Sequence, residues 1–187
     1  KNKNLNVDIA IIGGGITGLS CAYWLQQEDP NLRIAIIEKN EMGSGATGRN
    51  AGFVTCGSVE HFNRLVGKHG EKEALEIWRF SEKNLELLKQ EIILDDAADY
   101  LFEQKGSFSL ASTETEFQEL KDSTKLMHKM QINVEELGRT EIEKRLGAHN
   151  FVGGIKYRDD ASVHPILLLK GIERKFKKNI VILEQHE

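Results

Sequence analysis

Residues 7–12, VDIAII, are apolar at every position but Asp8. A run of this kind predicts a strand buried on both faces of a parallel sheet. GGGITG follows, and LSCAYWLQQ then places Leu19, Ala22 and Leu25 at helical spacing before Pro30 and Asn31 interrupt the pattern. Residues 33–37, RIAII, repeat the buried-strand pattern and end at Glu38. Strand, helix and strand within about thirty residues make a βαβ unit. The fold class expected is therefore α/β, a Rossmann-like unit with a parallel sheet.

Beyond residue 70 the period changes. Ala74, Trp78, Ser81, Leu85, Leu88 and Ile92 step by three and four, which predicts one long helix over residues 71–93 docked on its own domain. Residues 100–111 read as two short strands about Gly106. Thr113 to Glu116 carries a capping-box signature, opening a helix with Phe117, Leu120, Thr124 and Met127 on one face. Met127 and Met130 read as core filler. TEIEKRL predicts a short helix capped by Thr140. FVGGIKY predicts a strand in which Gly153 and Gly154 serve a bulge or a close contact. HPILLLKGIERKF is a helix with Pro165 in its first turn, and NIVILE, residues 179–184, is a last strand. No internal repeat or low-complexity segment is present.

Composition narrows the class. The 187 residues are 40% hydrophobic and 29% charged, with a net charge of −4, a globular balance. The basic residues are scattered apart from RKFKKN near the end, which reads as a solvated helix face, so no nucleic-acid partner is expected. No apolar run reaches membrane-spanning length, so membrane association is not indicated. No signal-peptide pattern opens the chain. Cys21 and Cys56 form no CxxC pair, and a cytoplasmic location is expected. The six histidines are dispersed, and no metal site is expected. The first residue is Lys1 rather than Met, from which a true start removed or lying upstream is expected.

Gly13, Gly15 and Gly18 match G-x-G-x-x-G between a strand and a helix. Gly13 allows the tight turn, Gly15 clears the approach of a pyrophosphate, and Gly18 lets helix and strand pack closely. The helix start then offers free N–H groups and the positive end of its dipole. Glu38 closes the second strand twenty positions after Gly18, the place of a carboxylate that accepts from ribose hydroxyls and repels a 2′-phosphate. A dinucleotide site follows, with NADP disfavoured. NAD and FAD share the ADP half, so these residues leave both open.

The stretch GSGATGRNAG, residues 43–52, holds four glycines with one arginine and one asparagine between them. A flexible surface loop would carry Ser, Lys and Glu instead. Small residues let backbone lie against a flat or charged ligand, N–H groups in such a nest bind anionic oxygens, and Arg49 can neutralise a phosphate or a reduced ring. The loop starts five residues after Glu38, on the same sheet edge, and favours FAD.

The two motifs together, GGGITGLSCAYWL and IIEKNEMGSGATGRNAGFV, resemble the opening of the D-amino acid oxidase superfamily of FAD-dependent oxidoreductases, which includes glycine oxidase, sarcosine oxidase and gamma-glutamylputrescine oxidoreductase. KGSFSLA and DDASVHPILLLKGI continue the resemblance, with Ala161 where many members have glycine. The resemblance implies residues 1–98 as the FAD-binding part, residues 99–160 as the start of an α+β substrate domain, and residues 161–187 as a helix and strand returning to the first. It implies Ile16 and Thr17 over the pyrophosphate and Glu38 on the adenosine ribose with Lys39 beside it. Gly45, Ala46 and Thr47 would meet phosphate or ribityl oxygens. Arg49, Asn50, Ala51, Gly52 and Phe53 would run toward the isoalloxazine. Some relatives attach FAD through a histidine in this loop; here none stands there, so non-covalent FAD is expected, and Cys56 is expected to be a small semi-buried residue rather than an attachment point.

The activity implied is oxidation of the C–N bond of a small amine or amino acid by hydride transfer to flavin, with hydrolysis of the imine. No catalytic residue is named by the sequence. His164 reads as a helix-start residue; Tyr100, Tyr157 and Arg158 are candidates to face a substrate pocket. The resemblance spans the chain but only the first half of the usual family length, so the expected partner is the missing C-terminal half of the same enzyme. Two other readings remain: a non-catalytic FAD-binding domain or subunit, and an NAD-dependent dehydrogenase on the same βαβ unit.

Overall fold

The computed structural model describes residues 5–94 and 96–186. Residues 1–4, 95 and 187, among them both ends of the expected domain division, lie outside the described residues. The chain runs β1 (Ile9–Ile12), α1 (Ile16–Glu28), β2 (Ile34–Ile37), β3 (Phe53–Val54), α2 (Val59–His69), α3 (Glu71–Leu87), β4 (Ser107–Ala111), α4 (Glu114–Lys129), β5 (Val134–Gly138), α5 (Arg139–Leu146), β6 (Gly153–Tyr157), β7 (Ala161–Ser162), α6 (Pro165–Arg174) and β8 (Ile180–Leu183). It forms two compact units. One takes the chain up to Gly52, Glu91–Phe102 and the chain from Val163; the other takes Phe53–Gln90 and Glu103–Ser162.

The first unit is built on a parallel sheet of order β1-β2-β8. Ile9 stands opposite Ile34, and Ile34 opposite Ile180. Central β2 has Ile34, Ala35 and Ile36 buried, as its apolar run predicts. Strand β1 departs from that expectation. It alternates between partly buried Ile9 and Ile11 and exposed Ala10 and Ile12, and Ile12 is 79% exposed. The physical reason is one-sided cover: α1 packs on the face that carries Ile11, where a Cβ on Gly18 would lie 3.4 Å from the Ile11 side chain.

The buried stripe of α1 is Gly18, Leu19, Ala22, Tyr23 and Gln26, rotated from the Leu19, Ala22, Leu25 stripe read from hydrophobicity. Gln26 is polar yet fully buried because both ends of its amide are paired. Its Nε2 donates to the carbonyl of Lys175 at 3.1 Å and its Oε1 accepts from the Lys177 amide at 2.6 Å. That side chain ties α1 to the end of α6, so its burial costs no unmade hydrogen bond.

The second unit packs helices on an antiparallel sheet of order β4-β6-β5. Its core joins Val59 and Phe62 of α2, Trp78 of α3, Met127 of α4 and Ile155 and Tyr157 of β6. Phe62 meets Trp78 edge to face, with ring centroids 5.6 Å apart. Met127 and Met130 are core residues, as expected. Thr113 and Glu116 form the predicted capping box of α4. In β6 the glycines serve close contact and no bulge: pairing is continuous on both edges, and a Cβ on Gly153 would sit 2.4 Å from the Phe117 ring.

Several expectations are corrected. Helix α2 has no counterpart in the pattern reading, although Ser58 caps it and Val59 and Phe62 bury one face. The long helix starts at Glu71 but leaves the α-form at Leu87, and a π-helical segment, Leu88–Ile93, follows. Its turn is wider than that of an α-helix, and the consecutive Ile92 and Ile93 are both buried in it. Helix α3 falls in the second compact unit. Of the two strands about Gly106 only β4 forms; the earlier part is a 3-10 turn, Ala97–Tyr100, and a single bridge from Glu103 to Ser162. Helix α5 is capped at Gly138, where β5 runs directly into it, and not at Thr140.

Replacing Phe62 by Ala is expected to cost about 3–5 kcal/mol in urea unfolding, as deletion of a fully buried ring leaves a cavity. Replacing Phe80, which is 76% exposed, is expected to change stability by less than about 0.5 kcal/mol.

Candidate dinucleotide site

Strand β1 ends in a turn that only glycine can make. Gly13 has φ +106°, and a Cβ on Gly18 would fall 2.0 Å from the Gly13 carbonyl oxygen. The helix therefore starts directly against the strand end, as the motif predicts. The first turn of α1 carries no acidic residue, and Gly15 supplies no side-chain cap. Its amides face a place that nothing anionic in the helix occupies.

Two of those backbone N–H groups are held by side chains from elsewhere in the unit. Gly14 donates to Glu38 Oε2 at 2.7 Å, and Ile16 donates to Thr47 Oγ1 at 3.0 Å. The Thr17 amide has no acceptor among the described residues. Glu38 also accepts from the Asn40 amide through Oε1 at 2.8 Å. The amides of Asn40 and Gly14 hold its carboxyl below its ordinary value of 4.5, so it is ionised at neutral pH. Each of its oxygens keeps a lone pair for a further donor. Lys39 follows it, exposed on the turn.

Residues 43–52 are a built loop. The Gly43 amide donates to the Gly14 carbonyl at 3.1 Å. A 3-10 turn spans Ala46–Arg49. A Cβ on Gly48 would lie 2.3 Å from the Gly43 oxygen, and one on Gly52, at φ +74°, would lie 2.0 Å from the Val163 oxygen. A Cβ on Gly13 or Gly45, by contrast, meets nothing within 4 Å. Open glycine faces beside a helix start whose N-cap is a glycine, with a carboxylate at the end of β2, fit a dinucleotide.

Arg49 is exposed. With Lys170 of α6 it lines a cavity of about 940 Å³, floored by Met42, Gly43, Ile166 and Leu169 and flanked by Glu41, Glu173 and Glu184. None of the three motif glycines lines this cavity. The carboxylate of Glu184 anchors the segment before the loop, accepting from the Met42 amide at 2.6 Å.

Gly13, Gly15, Ile16, Thr17, Gly18, Glu38 and Lys39 thus lie in one unit with Gly45, Ala46, Thr47, Arg49, Asn50, Ala51 and Gly52. Phe53 opens β3 in the other unit and is 74% exposed. Sequence reasoning passed over Glu184 and Gln26, both bonded across the unit. Their only sequence signal is a polar residue at the edge of an apolar element.

The other singled-out residues are structural. His164 caps α6, its Nδ1 accepting from the Leu167 amide at 3.4 Å. Tyr157 donates no free hydroxyl, since its oxygen accepts from the Val59 amide at 2.7 Å and bonds Ser109 at 3.2 Å. Arg158 pairs with Glu135 at 3.2 Å. The Tyr100 ring packs on Gly171. Burial, with Asp160, Glu82 and Asp159 around it, pushes the Cys56 thiol up to about 12, so it stays protonated and unreactive. Among the described residues, no group of three or more His, Cys, Asp or Glu side chains is placed to hold a metal ion, and no helix is long and apolar enough to cross a membrane.

The family model for FAD dependent oxidoreductases, DAO, matches residues 8–187. A probable oxidoreductase, OrdL, of Haemophilus influenzae is 25% identical over 171 residues, which cover 90% of this chain and 39% of that protein. Glycine oxidase from Geobacillus kaustophilus superposes with a TM-score of 0.72 at 24% identity, over 96% of this chain and 46% of that one. Dithionite-reduced L-alpha-glycerophosphate oxidase from Mycoplasma pneumoniae, with FAD bound, superposes with a TM-score of 0.70 at 19% identity, over 97% and 45%. The two superpositions establish the fold. The chain spans less than half the length of each of these proteins.

Gly18→Ala is expected to cost roughly 2–4 kcal/mol in chemical unfolding, because a backbone oxygen must move to admit the methyl. Glu38 gives a pH test. A carboxyl held low in the fold stabilises it above its ordinary value of 4.5, and that contribution is lost as pH falls below this value through the depressed one. Cofactor-free Glu38→Gln is expected to show a flatter fall of the unfolding midpoint across that acid range than the parent protein.

Proposed function

We infer from membership of the FAD-dependent oxidoreductase family, to which the chain belongs over residues 8–187, that these residues form the nucleotide-holding part of a flavoenzyme that oxidises the C–N bond of a small amine or amino acid. The observation that carries the nucleotide reading is the start of α1, whose N-cap residue Gly15 brings no side chain of its own, with Glu38 beside it. In this reading the Thr17 amide and the dipole of α1 receive the pyrophosphate, and Glu38 accepts from the adenosine ribose. The open faces of Gly13 and Gly45 admit the chain of the ligand, which the loop over residues 45–52 holds without a covalent bond. FAD, when bound, accepts the hydride from the substrate carbon.

The amine class rests on the family resemblance and on relatives such as glycine oxidase. The likeness to L-alpha-glycerophosphate oxidase supports an alcohol as the second reading, with the same nucleotide site. The rest of the enzyme, matching the part of its relatives that this chain does not span, supplies the remainder of the substrate pocket. Two free thiols, Cys21 and Cys56, suit the cytoplasmic location we assign.

The test uses the full-length protein. Denaturation is expected to release FAD. Bleaching of the flavin absorbance is expected with one member of a panel of amino acids, N-methyl amino acids and polyamines. Bleaching by a hydroxy acid or glycerophosphate alone would move the substrate class to alcohols. Reduction by neither would leave an FAD-binding role only, and binding of NAD with no flavin uptake would overturn the reading. Gly15→Val is expected to purify without flavin, since its side chain meets both the pyrophosphate path and Thr47.

A further inference from the structure

We propose that Asn50 is a positioning residue for the nucleotide end of α1, acting through Thr47 and touching no cofactor itself; its purpose, though not its geometry, rests on the FAD reading above. The side chain of Asn50 is exposed, yet its polar atoms turn back into its own loop. Nδ2 donates to the carbonyls of Ala46 at 3.2 Å and Thr47 at 2.6 Å, and Oδ1 accepts from the Gly52 amide at 2.7 Å. A primary amide has two N–H donors, and here both are engaged on loop backbone. The resemblance to the oxidase family laid Asn50 along the flavin chain; the geometry assigns it to the loop.

Those bonds fix the residue that reaches the helix. Thr47, whose carbonyl Asn50 holds, sends its hydroxyl 31 positions back along the sequence to accept from the Ile16 amide at 3.0 Å. That hydroxyl is the side-chain cap that Gly15 cannot supply. It sits so close to the helix start that a Cβ on Gly15 would meet it at 3.0 Å. At the far end of the loop Gly52, held by Asn50, is itself tied to Val163, whose amide donates to the Gly52 carbonyl at 2.9 Å. Asn50 therefore closes the 3-10 turn, the turn aims Thr47, and Thr47 sets the first turn of α1. Aspartate keeps the acceptor for Gly52 but has no donor for the two carbonyls, so it cannot substitute.

The test reads the helix, which is distant in sequence from the substitution. In cofactor-free full-length protein, Asn50→Ala, Asn50→Asp and Thr47→Val are each expected to speed amide hydrogen exchange at Ile16 by about tenfold, the worth of one hydrogen bond. Thr47→Ser is expected to match the parent, and the amides of Ile34–Ile37 are expected to stay unchanged in every variant. Dissociation constants for added FAD are expected to rise about 5- to 50-fold in the first three variants and less than about threefold in Thr47→Ser. Because the two residues act through one contact, Asn50→Ala/Thr47→Val is expected to be no weaker than its worse single variant. Should Asn50→Ala not fold, Asn50→Asp, with nearly the same volume and the Gly52 bond retained, decides in its place. Unchanged exchange at Ile16 in the Asn50 variants, or losses that multiply in the double variant, would overturn the proposal. Parent protein that takes up no FAD would overturn the cofactor reading, and the exchange measurements would still decide this one.

Discussion

The carbonyl of Gly13 and the α-carbon of Gly18 approach too closely to admit a side chain between them, and the first unit depends on that approach. It allows α1 to begin at once after β1, on the face that Ile9 and Ile11 present. Because β2 pairs with β1 in parallel and in register, it ends at the same level, and Glu38 arrives beside the Gly14 amide. Had the helix started one residue later, that carboxylate would face a different amide. Helix–strand packing and the placing of the charged group are thus one constraint.

The second layer of order comes from chain that is remote in sequence. Strand β8 pairs with the outer side of β2, and Glu184 just beyond it holds the Met42 amide. Gln26 holds the connection between α6 and β8. A loop rich in glycine has a large conformational entropy to lose, and bonds at both ends and within the turn offset that cost. The loop over residues 43–52 is therefore ordered by hydrogen bonds and close backbone approach, with little burial of apolar surface.

Much of this was legible in the sequence because the features are local. The apolar runs of β1, β2 and β8, the glycine spacing, the capping box at Thr113 and the proline at the start of α6 each state their own element. What escaped has a common cause. The one-sided exposure of β1, the burial of Gln26 and the role of Glu184 depend on which element packs against which, and no window of sequence contains both partners. Helix α2 is different: Ser58 before Val59, Phe62 and Val66 is a local signal, but a short one beside the glycine-rich loop. The cap of α5 was misplaced because Thr140 has the right chemistry and Gly138 has the right backbone, and the strand leading into the helix selected the backbone.

The distribution of amides at the start of α1 bears on how a phosphate is received. Gly14 is turned to Glu38 and Ile16 to Thr47, so the helix does not present a continuous ring of free donors. A carboxylate so near would oppose an anion if it were unpaired, but its charge is divided over the amides of Gly14 and Asn40. The dipole of α1 acts along its axis and falls off within the first turn, and the amides there that no acceptor among the described residues engages include those of Gly15 and Thr17. Arg49 belongs to a different electrostatic setting, a cavity where Glu41, Glu173 and Glu184 outnumber it and Lys170. In the proposed reading, neutralisation of phosphate by a fixed cation is therefore a smaller part of this site than orientation of backbone N–H groups. The glycines of the loop matter for the same reason: they let backbone stand where a side chain would otherwise hold the ligand away.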